Sequence, residues 1–323
     1  MHIRRKLLAL MGTLAMSAPL AHAQDAAYPN RPVTIVIGST PGSTTDGLAR
    51  AVAAEITQAT GQAVLVESRA GAFGGIAAQF VAQAKPDGYT LFMTTNTTQA
   101  ANPYLLKKLN YDPVKSFAPV SLLAQGYLIM VVNPNNIKAN NIAELVALAK
   151  KSPGKINYGS GSSSVQVATE LFQQGTGTRF TYVPYKANPP AVLDLVGGQT
   201  DLMIVDLTTA MPQVKAGKLR ALGMSSPKRS PLAPDVPAIS ESIPGFEFSY
   251  WNALYAPAGT PPAVVNRVSQ LVQNALQAPS VKRAIESTGQ VTSFLGPEGL
   301  AKFQQSELKR WGEIIHKAGI QPE

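Results

Sequence analysis

The sequence predicts an α/β protein built from two lobes with largely parallel sheets. Short β-branched strands alternate with helical stretches along the chain, an alternation typical of parallel sheets covered by helices. Two loops of similar composition each join a strand to a helix: residues 38–46 and 159–164 are both rich in Gly, Ser and Thr. A chain of 323 residues is longer than one compact core requires, so each loop is assigned to its own lobe.

In the first part of the chain the pattern predicts three strands separated by two helices. The strands are predicted at Val33–Ile37, 63–67 and 90–93, with helices near 47–58 and 74–84. Leu48, Val52 and Ile56 recur at the spacing of one helix face, which assigns the first helix. A further apolar strand is predicted at 127–132 and ends before Pro134, because proline interrupts strand pairing.

The second part of the chain continues the alternation. Asn141, with Glu144 three residues later, predicts a helix start of the capping-box type. Strands are then predicted at 155–158, 180–183, 201–205, 219–224 and 248–255, with helices between the first four. The Pro- and Ser-rich segment 227–244 is predicted as a surface connection. Helices are predicted near 263–276 and at Pro279–Ser287, and the last helix carries an apolar stripe, assigned to core packing, at Leu300, Phe303, Leu308, Trp311, Ile314 and Ile315.

The N-terminal residues have the pattern of a secretory signal peptide. Residues 4–6 are basic, residues 7–16 are apolar but too few to span a bilayer, and residues 21–23 read Ala-His-Ala. We therefore expect residues 1–23 to be a signal peptide, cleaved near Ala23, and the mature chain to be exported to the periplasm. No later stretch reaches the roughly 18 consecutive apolar residues of a membrane helix.

The amount and distribution of charge argue against nucleic acids as partners. The net charge is +9, part of it in the signal, and the remaining basic residues are spread along the chain without a patch. Such a modest excess favours anionic ligands by weak steering, whereas nucleic-acid binding requires a concentrated basic surface. We therefore expect a small anionic ligand and no nucleic acid.

Histidine and cysteine content argues against catalysis and metal binding. The chain has no cysteine and three histidines, of which His2 and His22 lie in the signal and His316 on the last helix. A Ser–His–Asp triad needs a histidine beside its serine, and zinc needs three or four His, Cys or carboxylate ligands. We expect no catalytic residue, no metal site and no cofactor, although carboxylates that follow strands leave acid–base chemistry open.

Four loops follow predicted strands: 40–46, 69–75, 94–98 and 159–164. Open α/β sheets bind ligands at the carboxyl ends of their strands, and helix N-termini there attract anions. The loops are rich in small neutral residues, and the segment 38–43 lacks the Gly-Lys-Ser/Thr ending of a phosphate-binding P-loop. We therefore expect backbone N–H groups and hydroxyls to hold the anion. The candidate ligand-binding residues in these loops are Thr40, Ser43, Thr44, Asp46, Ala70, Phe73, Thr95, Asn96, Gly161, Ser162 and Ser163.

Several short segments together resemble a known family. The matching segments, in order along the chain, are Tyr28-Pro29-Asn30-Arg31-Pro32, Pro41-Gly42-Ser43-Thr44-Thr45-Asp46, Pro86-Asp87-Gly88-Tyr89-Thr90-Leu91, Tyr111-Asp112-Pro113-Val114, Val183-Pro184-Tyr185-Lys186, Asp201-Leu202-Met203 and Ala256-Pro257-Ala258-Gly259-Thr260-Pro261. Their order and spacing are specific, and the likeness covers nearly the whole mature chain. It resembles the Bug family, the periplasmic substrate-binding proteins of tripartite tricarboxylate transporters.

The resemblance implies a two-lobed Venus-flytrap fold of the type II periplasmic-binding class. It implies one lobe at 24–126 with 252–323, a second lobe at 127–251, and a hinge near 128–132 and 252–255. It also implies capture of a small carboxylate, such as a dicarboxylate, tricarboxylate or aromatic acid, and its transfer to a permease of two membrane subunits. We expect the receptor itself to be a monomer. Family members hold the ligand carboxylate through backbone groups and ordered water.

Individual positions leave alternatives open. Ser43 stands where the family commonly has Gly, and Phe73 places a ring in a loop usually built of Gly and Asn; this ring packs on its own lobe or forms an apolar wall for the ligand. Asp46 caps its helix or meets a ligand donor. Tyr185 and Lys186 are further candidate ligand-binding residues, and Lys186 pairs with a ligand carboxylate or is a solvated neighbour of Tyr185. Asp206, at the end of a strand, orients a loop or contacts the ligand; Ala187, where the family has Gly, also departs from the pattern.

The sequence favours a receptor but leaves two other functions open. One is an exported hydrolase that uses carboxylates, disfavoured because its loops contain no histidine base. The other is a ligand-sensing partner of a membrane histidine kinase, which the sequence does not separate from transport.

Overall fold

A computed structural model describes residues 28–185, 188–317 and 319–322, which form ten strands and ten α-helices. The strands are β1 Val33–Ile37, β2 Val64–Ser68, β3 Thr90–Thr95, β4 Phe117–Val132, β5 Asn157–Ser160, β6 Thr181–Pro184, β7 Leu202–Asp206, β8 Arg220–Met224, β9 Ser249–Pro257 and β10 Gln290–Leu295. The helices are α1 Thr44–Thr60, α2 Gly75–Ala82, α3 Asn102–Leu105, α4 Ile142–Lys151, α5 Ser163–Thr176, α6 Asn188–Val196, α7 Leu207–Lys215, α8 Pro262–Ala275, α9 Pro279–Ser287 and α10 Pro297–Lys317. Short 3-10 turns occupy Ala72–Gly74 and Ile239–Glu241, and a π-helical segment occupies Thr97–Ala101.

The strands form a mixed sheet in the order β2-β1-β3-β9-β4-β7-β5-β6, and β8 and β10 also pair with β4. β1 is parallel to β2 and β3, and β5 is parallel to β6 and β7, as expected for strands joined by helices. β4 and β9 run antiparallel to their neighbours. The predicted parallel sheets are therefore correct for the outer strands, whereas the two central strands differ.

The long strand β4 divides the sheet into two parts. Its residues up to Tyr127 pair with β9, and its residues from Leu128 onward pair with β7 and β8. We call β1, β2, β3, β9 and β10 with their helices the first lobe, and β5 to β8 with theirs the second lobe. On the return path, the Phe248 N–H still bonds to Ser225 in the second lobe, and β9 begins at Ser249. The chain thus crosses at 127–128 and 248–249, and the predicted hinge segment 252–255 lies inside the first lobe.

Two strands differ from the sequence prediction: β4 is longer in the structure than predicted, and β10 was not predicted. β4 begins at Phe117, ten residues before the predicted 127, and it includes Pro119 and Gly126, residue types that are unusual inside strands. The structure places a register shift next to Pro119, and Gly126 lies under the Tyr250 ring, where an added Cβ would stand 2.3 Å from the Tyr250 Cζ. β10 was not predicted, because its alternation of polar and apolar residues is short.

The described apolar side chains form three clusters that cover both faces of the sheet. One extends through both lobes and includes Phe92, Phe172 and Trp311; the others lie under α1, α8 and α9 and under α6 and α7. Five residues of the predicted α10 stripe pack in or against the shared cluster, namely Leu300, Phe303, Trp311, Ile314 and Ile315, whereas Leu308 is half-buried outside it. This helix also touches the second lobe, because the Gln174 side chain donates to the Ile314 carbonyl at 3.2 Å.

Across residues 28–185, 188–317 and 319–322, no helix combines the length and the apolar character needed to cross a bilayer. The same residues contain no group of three His, Cys, Asp or Glu side chains placed to share a metal ion. The predicted signal peptide lies outside the described residues.

Candidate ligand-binding cleft

The loop 40–46 forms the start of α1. The Ser43 hydroxyl accepts a hydrogen bond from the Asp46 N–H at 3.2 Å, so Ser43 is the helix N-cap. The Asp46 carboxylate accepts in return from the Gly42 N–H at 2.9 Å. The expectation that Asp46 itself caps the helix is therefore wrong: Asp46 lies in the first turn, three residues after the cap, and stabilises the preceding loop.

The charge of Asp46 is compensated within its own helix. Arg50, one turn further on, lies 3.0 Å from the Asp46 carboxylate, which is almost fully buried. The hydrogen bond from the Arg50 side chain is the main cause that holds the pKa of Asp46 below its usual value. An anion at this loop therefore meets an ion pair and not an isolated carboxylate.

Two backbone donors at the start of α1 are open. The N–H groups of Gly42, Ser43 and Asp46 bond to neighbours in the loop. The N–H groups of Thr44 and Thr45 find no acceptor among the residues that the structure describes. Helix N-termini leave such groups unpaired, and the helix dipole adds positive potential there. These two groups can donate to an anion.

The loop 159–164 repeats this arrangement in the second lobe. Ser162 caps α5 by accepting from the Val165 N–H at 3.4 Å, and the Gly161 N–H donates to the Asn188 side chain at 3.1 Å. The N–H groups of Ser163 and Ser164 have no acceptor within the described part of the chain. Both lobes thus present the same pair of open donors at a helix start.

Asp206 has a positioning role in the second lobe. Its carboxylate caps α7 by accepting from the Thr209 N–H at 2.9 Å and from the Thr208 hydroxyl at 2.9 Å. Its other oxygen lies 3.4 Å from the Asn188 amide nitrogen, which connects it to the loop 159–164. Asn188 was not among the predicted site residues; its place before two prolines at a helix start could have indicated it.

The three loops of the first lobe lie against one another. A Cβ on Gly38 would stand 2.8 Å from the Gly74 Cα, and a Cβ on Gly74 would stand 2.8 Å from the Thr98 Cγ2. The Ser68 hydroxyl donates to the Ser39 carbonyl at 2.6 Å. The carboxyl ends of β1, β2 and β3 therefore meet at one edge, as the sequence predicted.

Phe73 occupies a strained turn in the loop 69–75. Ala72 and Phe73 have φ values of +47° and +51°, in the left-handed region that residues with a Cβ rarely adopt. The Phe73 side chain is 55% exposed, so the ring is not buried in its own lobe. The Asn102 amide holds the Phe73 carbonyl at 3.1 Å and also bonds to the Tyr111 hydroxyl at 3.0 Å, which fixes the strained turn from below.

Asn96 joins the first lobe to the second. This side chain is 1% exposed; its oxygen accepts from the Trp251 N–H at 3.3 Å, and its nitrogen donates to the Ser164 hydroxyl at 3.1 Å. Next to it, the hydroxyls of Thr97 and Ser163 lie 3.5 Å apart. Both polar ends of Asn96, which was expected to contact the ligand, are thus bonded to protein.

The remaining predicted residues occupy separate positions. Thr40 and Ala70 are exposed on their loops, and the Thr95 hydroxyl accepts from the Thr97 N–H at 3.3 Å. The Tyr185 hydroxyl donates to Asp194 at 2.8 Å, and burial together with this bond raises the pKa of Tyr185 to about 12. Lys186 lies outside the described residues.

The loops offer mainly neutral donors. Arg69, in the loop 69–75, is engaged elsewhere: it lies 2.7 Å from Glu67 and its guanidinium stacks over the Phe80 ring at 3.6 Å. The described loop residues therefore suit a small anion held by backbone N–H groups and hydroxyls, with water filling the remaining hydrogen bonds.

A family model and individual proteins match this chain over most of its length. Residues 48–320 match the model of the tripartite tricarboxylate transporter family receptor, TctC. The chain is 32% identical to protein BugT of Bordetella pertussis over 97% of its own length and 98% of that protein. It is 35% identical to a UPF0065 protein of Pseudomonas sp. strain P51, with 97% and 94% covered.

Solved structures of similar proteins share the fold. Rpa4515 of R. palustris, solved with adipate, is 33% identical with a TM-score of 0.82, covering 92% of this chain and all of that one. The periplasmic binding protein BugD is 32% identical with a TM-score of 0.78, covering 92% and 100%. MatC of Rhodopseudomonas palustris, solved with malate, is 31% identical with a TM-score of 0.76, covering 89% and 100%. The chain has the two-lobed fold of these solute-binding proteins and belongs to the tripartite tricarboxylate transporter receptor family, the Bug proteins.

Proposed function

We propose that this chain is an extracytoplasmic receptor that binds a small organic carboxylate between its two lobes. The observation that carries the proposal is the pair of matching helix starts, one in each lobe, whose N–H groups at Thr44 and Thr45 and at Ser163 and Ser164 lack protein acceptors among the described residues. One carboxylate group at each start matches a dicarboxylate. The ligands named for similar structures, adipate and malate, support this class.

The proposed mechanism is capture by closure. A ligand bound to only one lobe satisfies one pair of donors, whereas in the closed form both pairs bond to it. Because the ligand binds the closed form more tightly, it shifts the population toward that form. We assign the first lobe to the described residues up to 127 together with those from 249 onward, and the second lobe to 128–248, which moves the expected bounds by one to three residues. Lys186 is proposed to approach a ligand carboxylate, and Phe73 to contact the apolar body of the ligand.

The proposed cellular role is delivery to a membrane permease. Residues 1–23 are proposed to direct export to the periplasm, where the mature monomer takes up its ligand. The family to which the chain belongs, named for tripartite tricarboxylate transport, supports this role. No catalytic step is assigned, because the carboxylates near the loops, Asp46 and Asp206, are engaged in helix-start bonds and an ion pair.

Calorimetry and thermal shift with a panel of acids test the proposal. The panel contains adipate, malate, citrate, aspartate and terephthalate, each with its methyl ester. A free acid at 100 times its dissociation constant should stabilise the fold by about 2.7 kcal/mol. The ester should lose roughly 1–3 kcal/mol for each charged hydrogen bond removed. Equal affinity for acid and ester would contradict the proposal, and turnover of the ester would indicate the hydrolase instead.

A further inference from the structure

We propose that Asn96 is a latch between the lobes: a direct protein contact that sets how often the cleft opens, independently of which ligand binds. Asn96 lies directly after β3 and before the π-helical segment, at the edge where the loops of the first lobe meet. It is fully buried although it is polar. Buried polar side chains are normally hydrogen-bonded, and the two partners of Asn96 belong to different parts of the fold.

The first partner anchors the latch. The Asn96 oxygen accepts from the Trp251 N–H at 3.3 Å, and Trp251 lies on β9, which pairs with β3 within the first lobe. The Trp251 indole in turn donates to Glu307 on α10 at 3.0 Å. Asn96 is therefore held in one orientation by the rigid core, with its amide nitrogen turned away from Trp251.

The second partner lies across the cleft. The Asn96 nitrogen donates to the Ser164 hydroxyl at 3.1 Å, and Ser164 is in the first turn of α5 in the second lobe. The contact of Thr97 with Ser163 at 3.5 Å supports it. When the lobes separate, these two bonds break, whereas the bond to Trp251 stays within the first lobe. The latch therefore distinguishes the closed cleft from the open one.

The chemistry of the latch makes it a weak bias. Both groups are neutral, and water replaces each partner on opening, so one such bond changes an equilibrium constant by roughly 2- to 10-fold. Ser164 also carries one of the open N–H groups, so the latch fixes the position of the second-lobe donors relative to the first lobe. A ligand that requires the closed cleft loses affinity in proportion to the fall in the closed fraction.

Single-molecule energy transfer between the lobes tests the latch without any ligand. The chain contains no cysteine, so Gln58→Cys on α1 and Lys150→Cys on α4 give two unique labelling sites, both exposed. In this background Ser164→Ala removes the cross-cleft bond and leaves the N–H in place. We expect the ratio of open to closed molecules to rise roughly 2- to 10-fold. Ser164→Thr, which keeps a hydroxyl, should restore it.

Two further variants separate a latch from general destabilisation. Ser287→Ala removes an exposed helix hydroxyl that bonds only to its own helix, at Ala284, and should leave the distance distribution unchanged. Asn96→Ala should open the cleft as Ser164→Ala does, and the double variant should open it no further, because both remove the same bond. A distance distribution of Ser164→Ala identical to that of the unsubstituted protein would overturn the latch. Because no acid is added, that failure is distinct from a failure of carboxylate binding.

Discussion

The indole N–H of Trp251 donates to the Glu307 carboxylate at 3.0 Å, and the indole of Trp311 approaches the same oxygen at 3.4 Å. Glu307 is 4% exposed, and Arg310 lies 3.6 Å from its other oxygen. One buried carboxylate thus ties β9, near the crossing between the lobes, to the last helix. A buried charge held this way contributes mainly through the cost of leaving its partners unpaired.

Glu307→Leu should therefore destabilise the fold. Two indole N–H groups lose their buried acceptor, and each unsatisfied group costs about 1–3 kcal/mol. The chain has two tryptophans, Trp251 and Trp311, so intrinsic fluorescence should change in the folded state as well. Urea unfolding followed by fluorescence measures both effects. Glu313→Gln, at an exposed position on the same helix, is the matched control and should change neither; an unaltered Glu307→Leu unfolding midpoint would refute the role of the carboxylate.

The ion pair of Asp46 predicts a pH-dependent contribution to stability. The pKa of Asp46 is lower in the folded protein than in the unfolded chain. Near the usual carboxyl pKa the folded protein therefore binds fewer protons at this residue than the unfolded chain does. Its stabilisation is therefore complete above the unfolded pKa of about 3.9 and is lost as the pH falls through the lower folded value.

Asp46→Asn should consequently be less stable than the unsubstituted protein at pH 7, by about 1–2 kcal/mol for a charge-assisted bond. The gap should narrow at acid pH, since protonation removes the same charge. Urea unfolding at a series of pH values measures it, with Glu286→Gln as an exposed control. A gap that stays constant down to the lowest pH would show that the charge of Asp46 is not what stabilises the loop.

Close contact between the loops makes Gly38 sensitive to substitution. Gly38→Ala would place its Cβ 2.8 Å from the backbone of Gly74, so the loops must move apart. We expect a loss of about 1–3 kcal/mol, as for overpacking, and weaker binding of any ligand that contacts both loops. Gly47→Ala is the matched control, because nothing lies within 4 Å of its Cβ position on α1. It should be neutral or stabilise the helix by roughly 0.5–1 kcal/mol. Thermal unfolding of both variants measures the two changes in stability. Equal changes for Gly38→Ala and Gly47→Ala would contradict the steric argument.

Local patterns explain what the sequence predicted well. The Leu48, Val52 and Ile56 stripe of α1, the Asn141 cap of α4 and the apolar stripe of α10 depend on residues a few positions apart, and the structure contains all three helices. The four candidate loops were proposed because strand ends in a parallel sheet share one edge, and the structure brings the three loops of the first lobe together.

Long-range pairing explains what the sequence did not predict. The bond between Asn96 and Ser164 joins residues 68 positions apart, and that between Thr45 and Asn252 joins residues 207 positions apart. Short sequence patterns do not indicate hydrogen-bond partners that are so far apart along the chain. The strand β4 was predicted short for the same reason: the partner ring of Tyr250 that accommodates Gly126 comes from a distant part of the chain.

Phe73 combines an energetic cost in the folded protein with a proposed role at the ligand. Its left-handed backbone costs roughly 1–2 kcal/mol for a residue with a Cβ, and its half-exposed ring recovers little of this by packing. Glycine adopts the same backbone without steric cost but loses about 0.5–1 kcal/mol of conformational entropy. Phe73→Gly should therefore leave stability unchanged or raise it by up to about 1 kcal/mol, as measured by urea unfolding.

The same variant should weaken the ligand contact if the ring faces the apolar body of the acid. Each methylene that loses a buried contact costs about 0.8 kcal/mol, so adipate should lose more affinity than the shorter, hydroxylated malate. Calorimetry with both acids gives the comparison. Ile76→Ala is the matched control, since Ile76 is an apolar residue of similar exposure, 50%, at the second position of α2 and outside the four candidate loops. Equal losses for the two acids, or an equal effect of Ile76→Ala, would assign the Phe73 ring to the outer surface of the first lobe and leave ligand selection to the polar loops.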